Sequence, residues 1–293
     1  MTLSHPRSNW RYPILQLSGF LALVFLIFSL LTSYLGWFSP TVSVQMMLDL
    51  SSSTYENTEF RGAGSLMAAE IEAVKAYARA NAVTSNPNNL SLSGFADRVI
   101  PITANFSDDV TAIETALEQV VEPQIIESIG GGTNLNLAVE EGLNRLSGQL
   151  DSCKEMLVVT DGEVRLNPAL VFRANANRVK LNFLIVSQTI PYNLTRAARD
   201  TGGIALSANV QNIQSLIANR LRQKFSSNAK FVKLFLGLAL ISLIWMLIFP
   251  VDRWLQRQWH IRFDHAGRIT LFNAVFWTLL TLWWWGLPVL QRC

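Results

Sequence analysis

Three long stretches without a charged residue constrain the fold of this chain most strongly. They cover residues 14–38, 234–251 and 269–290 of the 293-residue sequence. About 20 consecutive apolar residues in a helix span the hydrocarbon core of a bilayer. Aromatic residues flank the first stretch and Trp283-Trp284-Trp285 lie near the far end of the third, as is typical of membrane interfaces. We therefore predict transmembrane helices over residues 14–38, 231–251 and 269–290.

These stretches divide the chain into segments of different character. Residues 1–13 form a short N-terminal tail, residues 40–226 a mixed polar and apolar domain, and residues 252–268 a polar connector. The connector is compatible with a small hairpin or with an interfacial helix. The first stretch is longer than the apolar core of a cleaved signal peptide and lacks a small-residue cleavage site after it, which favours a retained anchor.

Charge is distributed unevenly between the domain and the rest of the chain. Residues 40–230 contain 16 Lys and Arg against 19 Asp and Glu, whereas the remainder contains 8 basic and 2 acidic residues. The basic excess therefore lies around the hydrophobic stretches, where it faces lipid headgroups. No pattern of basic and aromatic residues indicates a nucleic-acid surface, so we expect a bilayer as partner and no nucleic acid.

One apolar segment of the domain ends in a run of oxygen-bearing side chains. Residues 42–48 are mostly apolar and are followed by Asp49, Ser51 and Ser53 at alternate positions. Alternate side chains of an extended chain point the same way, so these three can converge on one point. A carboxylate with hydroxyls suits Mg²⁺, which prefers oxygen ligands. The pattern predicts a buried strand that ends at a candidate metal site.

Two later segments add polar residues to the same predicted edge. Gly130-Gly131-Gly132-Thr133 opens a helix, and an apolar strand ends in Thr160-Asp161-Gly162. Strands alternate with helices of about ten to fifteen residues, which predicts an α/β fold with a doubly wound, mostly parallel sheet. In such sheets, ligands bind outside the carboxyl ends of the strands. Thr133 and Asp161 are compatible with ligand roles or with simple cap and turn roles.

The order D-x-S-x-S, G-G-T-N and T-D-G over residues 40–226 resembles the von Willebrand factor A (vWA) domain and its metal-ion-dependent adhesion site. The resemblance implies that a divalent cation is bound directly or through water by five residues. The cation would be Mg²⁺, or else Mn²⁺ or Ca²⁺. The five residues are Asp49, Ser51, Ser53, Thr133 and Asp161.

The chemistry absent from the domain excludes several classes of enzyme. The histidines of the chain are His5, His260 and His265, all outside residues 40–226, so the domain has no Ser-His-Asp system and no His-rich zinc site. The sequence also lacks a G-x-x-x-x-G-K-[ST] phosphate loop. We expect no enzymatic activity, and we keep a metal-dependent hydrolase as an alternative. A channel or transporter subunit is a further alternative, although residues 14–38, 234–251 and 269–290 contain no charged residue, which weighs against it.

The expected function is protein binding, in which an Asp or Glu of a partner completes the coordination of the cation. The layout of one span before the domain and two after it resembles bacterial inner-membrane proteins of the aerotolerance type, which are associated with MoxR-type AAA+ ATPases. That resemblance implies a role in assembly or maturation of a membrane or exported complex. It also implies a bacterial plasma membrane, and the short tail with Arg7 and Arg11 favours an exported domain.

Overall fold

The computed structural model describes residues 13–35, 41–54, 62, 65–84, 86–149, 153–161, 165–187, 189–208, 229–259 and 263–286. Contacts divide the chain into a helical unit, Met1–Ser39 with Asn228–Arg292, and an α/β unit that contains Pro40–Ser227. The N-terminal tail up to residue 12 and the end of the predicted domain, residues 209–226, lie outside the described residues.

The α/β unit is built on a six-stranded sheet with the order β3-β2-β1-β4-β5-β6. All neighbouring strands are parallel except β3, which pairs antiparallel with β2 at one edge. The predicted doubly wound, mostly parallel sheet is thus confirmed. The strands are β1 (Val42–Asp49), β2 (Asn89–Phe95), β3 (Val99–Pro101), β4 (Cys153–Thr160), β5 (Val179–Ile185) and β6 (Ala205–Ser207).

Helices cover both faces of this sheet, which is why β1 is buried along its whole length. One face of β1, with Met46 and Leu48, packs in a cluster that includes Val74 of the helix after β1. The opposite face, with Met47, packs against Leu143. The helices of this unit are α2 (Leu66–Ala82), α3 (Val110–Val120), α4 (Pro123–Ile129), α5 (Leu135–Ser147), α6 (Pro168–Ala176) and α7 (Tyr192–Asp200).

Helix α2 begins at a well-formed N-cap, in which the Ser65 side chain accepts a hydrogen bond from the Ala68 N–H at 3.1 Å. Helix α5 begins in the same way, because the Asn134 side chain accepts from the Leu137 N–H at 3.1 Å. These caps satisfy N–H groups that have no partner inside the helix. They fix the residue at which each helix begins.

Strand register brings the loops after three strands to one edge of the sheet. Leu48 of β1 is opposite Val159 of β4, and Asp49 is opposite Phe95 of β2. The chain leaves β1 toward β2 on one side, and β4 pairs with β1 on the other. The direction of winding therefore reverses at β1, which is the place where ligands bind in open α/β sheets.

The helical unit contains α1 (Pro13–Leu35), α8 (Ala229–Trp259) and α9 (Phe263–Thr281), with a π-helical turn over Leu282–Gly286. Helices α1 and α8 pack together, with the rings of Phe28 and Phe235 stacked at 5.6 Å between centroids. Helices α8 and α9 are joined by a hydrogen bond of 3.1 Å from the Trp245 Nε1–H to the Thr278 hydroxyl.

The expectation of three spans is corrected, since only two helices of the described residues are long and apolar enough to cross a membrane. They are Leu15–Leu35 and Phe231–Gln258. The third predicted span falls on α9, whose first turns carry His265 and Arg268 and leave a shorter apolar stretch. Two apolar helices fit an anchored protein.

Helix α8 extends beyond residue 251, where the second span is predicted to end. Helix α8 continues through Pro250 to Trp259, where Asp252 accepts a hydrogen bond from Gln256 Nε2 at 2.9 Å. A proline inside an apolar helix removes one backbone hydrogen bond without ending the helix. Residues 252–259 and 263–268 of the predicted connector are therefore helical, and the hairpin alternative is not found in its described part.

Candidate metal centre

Asp49 lies at the end of β1 and is completely buried. Its Oδ1 accepts a hydrogen bond from the Ser51 N–H at 3.0 Å. Its Oδ2 accepts one from the Thr160 hydroxyl, at the end of β4, at 2.5 Å. Both carboxylate oxygens are therefore held in fixed positions by the neighbouring strand and by the turn after β1.

Ser51, Ser53 and Asp161 extend this group toward the surface. The hydroxyl oxygens of Ser51 and Ser53 are 3.1 Å apart, and the Ser53 hydroxyl donates to Asp161 Oδ2 at 2.5 Å. Ser51 is buried, Asp161 is half-buried and Ser53 is exposed. Four of the five residues predicted from the sequence thus form one hydrogen-bonded group that runs from the core to solvent.

The fifth predicted residue, Thr133, is positioned by the loop on either side of it. The Gly131 carbonyl accepts hydrogen bonds from the Ser52 N–H at 3.0 Å and from the Ser52 hydroxyl at 2.9 Å. The Asn134 N–H donates to the Ala96 carbonyl at 2.8 Å. These contacts hold the glycine loop against the serine turn. The loop thus contacts Ser52, between Ser51 and Ser53, and no described hydrogen bond joins the Thr133 hydroxyl to the other four residues.

The glycines of this loop are required by the carboxylate of Asp97, in the turn after β2. The Gly132 N–H donates to Asp97 Oδ2 at 3.2 Å. A Cβ on Gly130 would lie 2.2 Å from Asp97 Oδ2, and one on Gly132 would lie 2.1 Å from its Oδ1. Gly130 also has a φ of 89°, which is unfavourable for residues with a side chain. The loop therefore wraps closely around Asp97.

Burial makes the negative charge of Asp49 unfavourable in the absence of a cation. It raises the pKa of Asp49 from 3.8 to about 6, against the hydrogen bonds from Ser51 and Thr160, which lower it. The negative charge of Asp161 adds to the increase in pKa. A bound divalent cation would relieve both effects by supplying positive charge to the two carboxylates.

Sequence analysis missed Thr160 and Asp97, which shape this site, and the buried carboxylate of Glu70 on α2. Thr160 donates to Asp49 across the β1–β4 pairing, and Asp97 organises the glycine loop. Glu70 is completely buried on α2, and the charges of Asp49 and Asp161 contribute to a pKa well above its ordinary value, after the larger effect of burial. A signal for Glu70 is present in the sequence, because it lies between the apolar residues Met67, Ile71 and Val74, which follow helical spacing.

The residues present fit a divalent cation held by carboxylates together with hydroxyls. The described part of the chain contains no group of three or more His, Cys, Asp or Glu side chains able to hold a metal by themselves. Coordination would therefore depend on the hydroxyls of Ser51 and Ser53 beside Asp49 and Asp161. Hard oxygen ligands of this kind suit Mg²⁺, Mn²⁺ or Ca²⁺.

Comparisons with known proteins identify similar folds at low sequence identity. No family model matches the sequence, and no curated protein matches it. An aerotolerance-related membrane protein from Bacteroides fragilis is 17% identical, with 62% of this chain and 99% of that chain covered and a TM-score of 0.46. The protein BatB from Bacteroides thetaiotaomicron is 17% identical, with 64% and 100% covered and a TM-score of 0.49.

A third similar structure is the proximal thread matrix protein 1 of the mussel byssus, solved with a zinc-occupied MIDAS motif. It is 16% identical, with 69% of this chain and 48% of that chain covered and a TM-score of 0.48. The assignment of the fold rests on the order of the strands and on the positions of the motifs, and not on these scores. By that order and those positions, the chain contains a vWA-like α/β domain together with apolar helices suited to a membrane.

Proposed function

We propose that this chain is a membrane-anchored vWA-like protein that binds a partner protein through a divalent cation, with Mg²⁺ as the first candidate. One observation carries the proposal: Asp49, Ser51, Ser53 and Asp161 form a continuous hydrogen-bonded group at the carboxyl edge of the sheet. These are four of the five residues that the vWA resemblance assigns to the cation.

The gradient of burial in this group supports a binding role. Asp49 is buried and held by two hydrogen bonds, so it would anchor the cation on the protein side. Ser53 is exposed and Asp161 is half-buried, so the opposite side is open to solvent. A bound cation would supply residual positive charge and an open position to which a partner Asp or Glu can bind.

The same residues give no support for hydrolysis. The described site has no histidine, and Asp49 and Asp161 are the carboxylates in its hydrogen-bonded group. A hydrolase would need a further group to act as general base toward a water on the open side of the cation, where a substrate would bind. We therefore propose binding without catalysis, in the assembly or maturation of a membrane or exported complex. The partner system is of the AAA+ ATPase kind, and the domain lies on the exported side of a bacterial plasma membrane.

A pull-down from membranes tests the binding role directly. Tagged full-length chain is solubilised in Mg²⁺ or in chelator, and captured proteins are compared for wild type, Asp49→Ala and Asp200→Ala. Asp200 is an exposed carboxylate at the end of α7 and serves as the matched control. We expect a partner in Mg²⁺ with wild type and Asp200→Ala, and no partner in chelator or with Asp49→Ala. Equal capture under every condition would reject cation-mediated binding.

The location of the domain is tested separately. Protease added to intact spheroplasts should cleave the domain, whereas protease added to inverted membrane vesicles should not. The reverse result would place the domain on the cytoplasmic side and would leave the cation-binding proposal untouched.

A further inference from the structure

Glu70 is a buried carboxylate with no visible role in holding the fold together. It lies in the second turn of α2 and is completely buried. Neither of its oxygens has a hydrogen-bond partner among the described residues. Buried carboxylates are normally paired or hydrogen-bonded, because burial without a partner is strongly unfavourable. We therefore expect the electrostatic partner of Glu70 to belong to the candidate metal centre and not to the hydrophobic core.

The place of Glu70 on α2 puts it near the carboxyl edge of the sheet. Helix α2 connects β1 to the parallel strand β2, so it begins at that edge and its first turns lie near it. It packs against β1 and β4, which end at Asp49 and Thr160. The charges of Asp49 and Asp161 add to the increase in the pKa of Glu70, after the larger effect of burial. Glu70 is therefore a further carboxylate near the edge that carries Asp49 and Asp161.

No described cationic side chain compensates this negative neighbourhood. The basic residues of α2 are both engaged elsewhere, since Lys75 pairs with Glu118 at 3.6 Å and Arg79 pairs with Glu114 at 2.6 Å. A protonated Glu70 would need an acceptor for its O–H, and none is found among the described residues. A cation near Asp49 and Asp161 would instead give Glu70 a favourable electrostatic partner.

We propose that Glu70 is a third carboxylate of the metal centre, which acts on the bound cation from the buried side through an ordered water. The inference rests on the proposed cation site and adds to it a residue outside the five that the vWA resemblance assigns. Glu70 is a positioning residue: it holds the water and strengthens cation binding. Its negative charge also reduces the positive charge that remains for the partner carboxylate, so the cation is held firmly while the partner exchanges.

Calorimetric titration of Mn²⁺ into the full-length chain in detergent micelles at pH 8 tests this role. The variants are Glu70→Gln, which keeps the shape and removes the charge, and Glu72→Gln, a half-buried control on the same helix. We expect Glu70→Gln to weaken Mn²⁺ binding by about 10- to 100-fold, the usual effect of removing a partner just outside the ligand sphere. Glu72→Gln should bind as wild type does.

A second measurement separates a role toward the metal from a role in folding. In chelator, Glu70→Gln should unfold at the wild-type temperature or above it, because an unpartnered buried carboxyl group has been removed. Should Glu70→Gln fold poorly, Glu70→Met offers an apolar side chain of similar length, and it should show the same loss of affinity.

The outcomes distinguish this inference from the proposed function on which it rests. Wild-type affinity in a folded Glu70 variant, with binding abolished in Asp49→Asn, would overturn the role of Glu70 and leave the cation site in place. Absence of Mn²⁺ binding in the wild-type chain would overturn both.

Discussion

The neutral substitution Asp49→Asn should stabilise the protein when no cation is present. Burial raises the pKa of Asp49 to about 6 from an ordinary value of 3.8. A difference of about 2 pH units, at 1.36 kcal/mol each, corresponds to about 3 kcal/mol of unfavourable free energy for the ionised side chain. The asparagine avoids this term and gives up one accepted hydrogen bond, which is worth about 1 kcal/mol. We therefore expect a net gain of about 2 kcal/mol in the free energy of unfolding at pH 8.

The difference in stability between Asp49→Asn and wild type changes sign with pH. The folded protein binds the Asp49 proton more tightly than the unfolded chain does, so wild-type stability falls as pH rises between about 4 and 6. Above pH 6 the full penalty applies, and near pH 4 it disappears. The advantage of Asp49→Asn should therefore be largest at pH 8 and should vanish at about pH 4, where the lost hydrogen bond leaves the variant slightly less stable.

Urea unfolding of the α/β unit within the full-length chain, followed by circular dichroism in detergent and chelator, measures this difference. Mn²⁺ at about 100 times its dissociation constant should stabilise wild type by about 2.7 kcal/mol and leave Asp49→Asn unchanged. Asp200→Asn, at an exposed position, should behave as wild type throughout. A loss of about 2 kcal/mol or more in Asp49→Asn at pH 8 would refute the reasoning, because it would show that the carboxylate holds the fold together.

Two further substitutions test how the site is positioned. Thr160→Val removes the hydroxyl that donates to Asp49. Mn²⁺ affinity should therefore fall about tenfold in calorimetry, and the free energy of unfolding of the metal-free protein should fall by about 1.5–3 kcal/mol at pH 8. Unchanged affinity would show that this hydrogen bond does not position Asp49. Gly130→Ala forces a side chain into a positive φ and against Asp97, and urea unfolding should show a loss of about 1–3 kcal/mol. Gly148→Ala is the matched control, because Gly148 has an ordinary helical φ and an added Cβ would lie 3.7 Å from the Arg145 carbonyl oxygen. It should change the free energy of unfolding by less than about 1 kcal/mol. Equal effects of the two alanine substitutions would reject the close packing of the loop.

The parts of the site that sequence analysis predicted follow from local rules. Asp49, Ser51 and Ser53 lie together as expected, but not through the alternation of an extended segment, because β1 ends at Asp49 and the chain turns into a 3-10 helix over Ser52–Thr54. Asp161 joins them because parallel strands end at one edge of the sheet. The hydrogen bonds through Ser53 connect all four residues.

The parts that were missed depend on contacts between distant segments. Thr160 bonds to Asp49 across 111 residues of sequence, through the register of β1 on β4, which composition and spacing do not define. The glycine loop was interpreted as the start of a helix, whereas its shape is set by Asp97, 35 residues before Gly132. Glu70 was missed because its carboxylate is buried on the same helix as apolar residues, and patterns of hydrophobicity place only apolar side chains there.

The helical unit shows a different limit of sequence reasoning. Hydropathy located the first two apolar helices but placed the end of the second at residue 251, because a proline followed by a charged residue usually marks a boundary. In the structure α8 continues past this point, and Asp252 Oδ2 accepts a hydrogen bond from Gln256, one turn along the helix. Local pairing of this kind is not visible in a hydropathy profile.

The most direct test of the central claim is the position of a cation in crystals of the full-length chain grown with Mn²⁺. The anomalous scattering of manganese locates the ion independently of the protein atoms. We expect one strong peak between Asp49, Ser51, Ser53 and Asp161, with Thr133 directed toward it. A peak at another place, or none at these residues in Mn²⁺-saturated crystals, would contradict the assignment of this edge of the sheet as a metal centre.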